Sequence, residues 1–123
     1  GGDRDRGKRP RMAAVVSELA DIAFVTSDNP RTESPAAIID QISAGFPQDS
    51  GCRVETEIDR RAALFSAIRE AGPGDTVLIA GKGHENYQLV GDRVLPFDDA
   101  EVARDALLHC KKVKQPTLQE EVA

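Results

Sequence analysis

Asp28-Asn29-Pro30-Arg31 places a carboxylate, an amide and a guanidinium in four consecutive positions, with a proline to stiffen the turn. Such a segment can grip a zwitterion. Asp28 accepts from an ammonium, Asn29 donates and accepts, and Arg31 clamps a carboxylate through two parallel hydrogen bonds. An Asx-turn followed by a solvated arginine uses the same residues, and both readings stay open on the sequence alone. Gly81-Lys82-Gly83-His84-Glu85 is a second segment of this kind: its glycines let backbone approach a ligand closely, Glu85 suits an ammonium and Lys82 an anion. The alternative is a plain tight turn. It is not a P-loop, because no pair of glycines with four residues between them is followed by Lys-Ser/Thr anywhere in the chain. His84 reads as a loop histidine, since no Ser or Cys nucleophile with a matching acid can be identified. A third segment, Gly1-Gly2-Asp3-Arg4-Asp5-Arg6-Gly7-Lys8-Arg9-Pro10, brings basic side chains to a helix entry, where free N–H groups and the helix dipole favour an anion. A solvated basic turn is the other reading there. Two His and two scattered Cys give no metal-ligand spacing, so no metal site is expected in this chain.

These three segments need a scaffold, and the surrounding periodicities supply one. Pro10 suits the first turn of a helix whose Met12, Val16 and Leu19 fall on one face, ending near Ala20. Ala23–Thr26 reads as a short buried strand, broken by Ser27-Asp28-Asn29-Pro30. Ser34-Pro35 is an N-cap with proline at the first helical position; Ile38 and Ile42 mark the inward face of that helix, and Gly45 is its expected C-cap. Alternation over Cys52–Ile58 predicts a half-buried strand toward a sheet edge. Asp59 can cap a third helix bearing Leu64 and Ile68, which Gly72-Pro73-Gly74 stops. The apolar run Thr76–Ala80 then predicts a strand buried on both faces. Tyr87–Val90 and Arg93–Pro96 flank Gly91-Asp92 as a small hairpin. Asp98 with Glu101 forms a capping box for a last helix carrying Val102, Ala106 and Cys110, with Lys111 and Lys112 at its C-terminus. The expected fold is therefore α/β and Rossmann-like: a mostly parallel sheet with helices on both faces and a small C-terminal hairpin. Gly1-Gly2-Asp3 lacks an initiator Met and reads as a loop already under way, so a fragment whose first strand is missing is expected. In such sheets ligands bind at the carboxyl ends of strands, where all three segments fall.

Composition narrows the chemistry. The 123 residues carry a net charge of -5, yet residues 1–11 hold five Arg/Lys against two Asp, leaving eleven basic against nineteen acidic residues in the rest. An acidic chain with one basic end is a poor nucleic-acid binder, and four Phe, one Tyr and no Trp offer few stacking platforms. A small anionic or zwitterionic ligand fits better. The longest apolar runs fall far short of the ~20 residues of a membrane span, and no signal-peptide pattern opens the chain. Neither membrane nor nucleic acid is an expected partner, and two cysteines suit a reducing, cytoplasmic setting.

Taken together, Gly-Gly-Asp-Arg-Asp at 1–5 with Lys-Arg-Pro at 8–10, Asp-Asn-Pro-Arg at 28–31, and Gly-Lys-Gly-His-Glu with Tyr87-Gln88 resemble, in order, the C-terminal domain of the Mur ligases. The resemblance covers residues 1–112 as one amino-acid-binding domain and leaves 113–123 as a polar tail. It implies an ATP-dependent amide ligase of cytoplasmic peptidoglycan precursor synthesis, in which a glutamate carboxylate becomes an acyl phosphate that an amino-acid amine attacks. The branch it resembles most adds meso-diaminopimelate to UDP-N-acetylmuramoyl-L-alanyl-D-glutamate. By position, Arg4, Asp28, Asn29, Pro30, Arg31, Gly81 and Glu85 match that branch's diaminopimelate contacts, whereas Asp3 and Lys8 look nucleotide-facing. ATP and Mg2+ are implied as bound mainly by domains absent from this chain, which holds no catalytic residue proper and is expected to be inactive alone. Lysine-adding relatives lack the arginine of the Asp-Asn-Pro-Arg motif. Two other readings are a receiver-like or small-ligand-binding α/β domain, in which acids hold Mg2+ or accept phosphate, and an inactive truncated fragment.

Overall fold

The computed structural model describes residues 1–114, with side chains through Lys111. The elements run α1 (Lys8–Leu19), β1 (Ile22–Thr26), α2 (Pro35–Ser43), β2 (Arg53–Glu57), α3 (Arg60–Glu70), β3 (Tyr87–Val90), β4 (Arg93–Pro96) and α4 (Asp99–Lys114). Local signals account for most boundaries. Ser34 Oγ accepts the Ala37 N–H at the start of α2, and Asp59 accepts the Ala62 N–H at the start of α3. Asp98 Oδ1 accepts from both Ala100 and Glu101 N–H at the start of α4. The hairpin occupies the expected residues, with Gly91 at φ +61° in its turn. Helix α4 runs through Lys114, two residues into the stretch expected as tail; the rest of that stretch lies outside the described residues.

Strands β1 and β2 pair in parallel, from Ile22 opposite Arg53 to Thr26 opposite Glu57. The antiparallel β3–β4 hairpin is separate and is joined to the loop after β1 by an isolated parallel bridge between Arg31 and Val90. The helices pair as α1 with α2 and α3 with α4, and both pairs reach β1, through α2 and α3. The chain is thus α/β with a parallel sheet, flanking helices and a small hairpin, as expected. Between α3 and α4, Ile68, Ala106 and Cys110 form a buried cluster with Phe65 and Ala103 packed against it.

Three expectations are corrected. The run Thr76–Ala80 is not a buried strand: it has no ladder partner among the described residues, and Leu78 is 85% exposed. An apolar run becomes a central strand only when another backbone is present to take its N–H and C=O groups. The Met12, Val16 and Leu19 face of α1 is exposed, and Arg9 and Ala13 are the buried positions instead. The contact with α2 decides this, because it brings the backbone of Pro10 against Gly45. A methyl at Gly45 would lie 2.3 Å from the Pro10 carbonyl oxygen. That close approach, rather than a left-handed C-cap, is what glycine provides at position 45, which follows the C-cap Ala44.

Candidate functional site

Beyond the end of β1, the Asp28–Arg31 segment is pinned from three sides. Asn29 is 3% exposed; its Oδ1 accepts the Leu89 N–H at 2.8 Å and its Nδ2 donates to Glu85 Oε1 at 3.4 Å. Pro30 is fully buried. The Gly2 N–H donates to the Asn29 carbonyl at 2.8 Å, and a methyl on Gly2 would lie 1.7 Å from the Pro30 carbonyl oxygen. Only glycine admits that approach. Arg31 sits at φ +53°, donates its N–H to the Leu89 carbonyl at 3.0 Å and accepts the Gly91 N–H at 2.7 Å. The left-handed backbone is sustained by the hairpin it docks against.

This backbone path aims the guanidinium. Arg31 Nη1 donates to the Gly2 carbonyl at 2.8 Å and to the Asn29 carbonyl at 3.4 Å. Its Nε and Nη2 make no hydrogen bond with the described residues, so one edge of the fork stays open. Arg4, Asp28 and Arg31 converge on Gly1. A methyl there would meet Arg31 Nη1 at 3.3 Å and Arg4 Cγ and Asp28 Oδ1 each at 3.6 Å. Burial pushes the Asp28 carboxyl up, while the Asn29 N–H and the Arg60 guanidinium pull it down.

The second loop closes on the first. Gly81, at φ +109°, brings its α-carbon so near that a methyl would lie 3.7 Å from Asp28 Oδ2. Both carboxylate oxygens of Glu85 are oriented, Oε1 by Asn29 and Oε2 by the Tyr87 hydroxyl, which donates at 2.9 Å. That hydrogen bond to a carboxylate raises the Tyr87 phenol above its ordinary value and keeps it protonated. Lys82 is corrected: it does not face an anion but is 3% exposed, its Nζ donating to the Tyr87 carbonyl while lying 5.6 Å from the Tyr87 ring centre and 5.9 Å from that of Phe97. His84 is exposed.

Asp3 and Lys8 border this cluster. The Asp3 carboxylate accepts from the Thr32 hydroxyl at 2.7 Å and the Thr32 N–H at 3.3 Å, and its own N–H donates to Glu33. Lys8 and Arg4 line a cavity of about 400 Å³ at the start of α1, beside Arg9 and Met12. Sequence reasoning missed the residues that brace the site. Arg9, 3% exposed, clamps Glu33 through two hydrogen bonds of 3.0 Å and also donates to Gln41 and to the Gly1 carbonyl. This clamp, with the Asp3 N–H, lowers the Glu33 carboxyl to about 2. Arg60 and Asp99 form a second buried pair. A signal was available for both arginines: each stands in the first turn of a helix, where the dipole disfavours a cation unless something else holds it.

Residues 1–83 match the family described as Mur ligase, glutamate ligase domain. The UDP-N-acetylmuramoyl-L-alanyl-D-glutamate--2,6-diaminopimelate ligase of Thermosynechococcus vestitus is 55% identical over 116 residues, 94% of this chain and 22% of that protein. The ligase of the same name from Gloeobacter violaceus is 56% identical over 107 residues, 87% of this chain and 22% of its own length. A solved structure of a UDP-N-acetylmuramoyl-L-alanyl-D-glutamate--2,6-diaminopimelate ligase superposes with a TM-score of 0.80 at 42% identity, covering 89% of this chain and 22% of that one. The chain therefore spans about a fifth of the length of these relatives.

Proposed function

We propose, from the premise that this chain belongs to the Mur ligase family as its glutamate ligase domain, that it selects and positions the amino acid in a ligase adding meso-diaminopimelate to UDP-N-acetylmuramoyl-L-alanyl-D-glutamate. The relatives' names supply the reaction, and the open edge of Arg31 beside Asp28, Asn29 and Glu85 is the observation that carries the residue roles. Meso-diaminopimelate differs from lysine by one distal carboxylate. Arg31, with Arg4 nearby, pairs with that group, and Glu85 or Asp28 takes the distal ammonium. Asn29, Pro30 and Gly81 hold the two loops close enough for one small ligand to touch both. Lysine leaves Arg31 unpaired, so its rejection by about a thousandfold or more is expected.

The chain's part in the chemistry is orientation: the amine is held still, and its attack on an activated carboxylate becomes effectively unimolecular. The glutamate carboxylate is activated as an acyl phosphate formed from ATP. This chain alone does not hold ATP and Mg2+, although Asp3 and Lys8 face the nucleotide. It has no Walker sequence, and its described residues bring together no group of three His, Cys, Asp or Glu side chains suited to a metal ion. Those reactants and the UDP-linked dipeptide fall to other parts of the ligase. A receiver-like domain asks for several acids at one strand end, whereas Asp28 shares its strand end with Asn29 and Arg31. A cytoplasmic location follows from the precursor chemistry; among the described residues no helix is long and apolar enough to cross a membrane.

The deciding experiment compares amino acids in a full-length ligase carrying this domain. Arg31→Ala is expected to lower kcat/KM for meso-diaminopimelate by about 100-fold or more while changing lysine use by less than about threefold. Equal losses for both amino acids overturn the reading.

A further inference from the structure

Arg60 is the first residue of α3, a position where the helix dipole opposes a cation, and it is only 4% exposed. Asp99, the first residue of α4, neutralises it: Arg60 Nε donates to Oδ1 at 2.8 Å and Nη2 to Oδ2 at 2.7 Å. The guanidinium does more than pair. Its Nη1 donates to the Ser27 carbonyl at 3.3 Å and its Nη2 to the Ala80 carbonyl at 3.1 Å. Ser27 immediately precedes Asp28, and Ala80 immediately precedes Gly81. One rigid fork therefore holds the bases of both loops of the candidate site. Ala80 has no sheet ladder of its own among the described residues, and the other side-chain link between the loops, Asn29 to Glu85, is long at 3.4 Å.

We propose that Arg60 is a positioning residue for amino-acid selection: by donating to the Ser27 and Ala80 carbonyls it sets the separation between the loop carrying Asp28 and Arg31 and the loop carrying Glu85. The inference rests on the amino-acid-binding reading above. With Arg31 on the distal carboxylate and Glu85 on the distal ammonium, the ligand is held at its distal end by both loops and depends on their spacing, whereas lysine, without the distal carboxylate, is held there by one loop only. Loss of the fork thus penalises meso-diaminopimelate more than lysine, which a purely structural role does not do. Asp99 acts through Arg60 by making its burial tolerable.

The test measures the ratio of kcat/KM for meso-diaminopimelate to that for lysine in a full-length ligase carrying this domain, alongside the melting temperature. Arg60→Met combined with Asp99→Leu replaces the ion pair by apolar groups, a change that buried pairs often tolerate, and removes both carbonyl bonds. The expected result is a folded protein whose ratio falls about tenfold or more. Arg60→Lys, which keeps the charge but not the fork, gives an intermediate fall and serves if the double variant does not fold. Asp99→Asn keeps the bonds to Ser27 and Ala80, so it lowers the melting temperature while leaving the ratio within about threefold. An unchanged ratio in the Arg60 variants, or an equal loss in Asp99→Asn, overturns the proposal. Arg31→Ala separates the two failures: if it also leaves the ratio unchanged, the amino-acid reading fails as well, and if it collapses the ratio, only the positioning role is lost.

Discussion

Residues 28–31 form one loop of the candidate site and residues 76–80 lead into the other, and their fates are opposite. The first segment is polar yet holds a fully buried proline and an asparagine 3% exposed. Its N–H and C=O groups are taken up by Gly2, Leu89 and Gly91, which lie far away in the chain. The second is a Val-Leu-Ile run, the most apolar stretch of the sequence, yet Leu78 is 85% exposed and no ladder forms along it. Burial here follows the satisfaction of backbone groups rather than side-chain hydrophobicity. A polar segment whose backbone finds tertiary partners can be enclosed, and an apolar one without a ladder is left at the surface.

The sharpest way to break this contrast is Gly2→Ala. The added methyl would lie 1.7 Å from the Pro30 carbonyl, against backbone on both sides, so the first loop must move away from residues 28–31. A loss of about 3 kcal/mol in urea unfolding is expected, and a loss under about 1 kcal/mol would mean that the two loops are not locked together. Glu33 probes the same lock through pH. Its carboxyl is lowered from 4.5 to about 2 in the folded protein, so the stability it contributes is complete above pH 4.5 and is lost as pH falls through about 2. Glu33→Gln should therefore flatten the stability-against-pH curve between pH 4.5 and 2 and coincide with the parent below about pH 2. A parallel offset across the whole range would show that the Arg9 clamp is not its source. The smallest effect is expected in the other segment: Leu78→Ser should change thermal stability by less than about 0.5 kcal/mol. A large loss in the melting transition would show that the run is covered in solution.

Much of the scaffold was legible because its signals are local. Ser34, Asp59 and Asp98 announce their helices through a side chain and an amide three residues or fewer away, and Gly91 marks the hairpin turn. The motifs of the candidate site were equally visible, and the structure brings Arg4, Asp28, Asn29, Arg31, Gly81 and Glu85 to neighbouring loops. The inward face of α1 was not legible. Its apolar spacing pointed to Met12, Val16 and Leu19, but Gly45 admits the Pro10 backbone and Arg9 reaches Glu33, and these two contacts turn the helix the other way. Nor was Lys82: a lysine between two glycines looks free, and only the return of the chain at Tyr87 and Phe97 encloses it.

Apart from the expected strand at 76–80, the order of helices and strands was determined by the sequence itself, as were the helix N-caps, the hairpin and the identity of the chemistry-bearing residues, since helix and strand periods and capping act over a few residues. Which charges are buried was decided by tertiary structure alone. Arg9 and Glu33 are 24 residues apart and Arg60 and Asp99 are 39 apart, and no local pattern states that these pairs will meet. A guanidinium leaves water only where carboxylate and carbonyl oxygens already stand in a matching plane, and that arrangement exists only once the loops have come together.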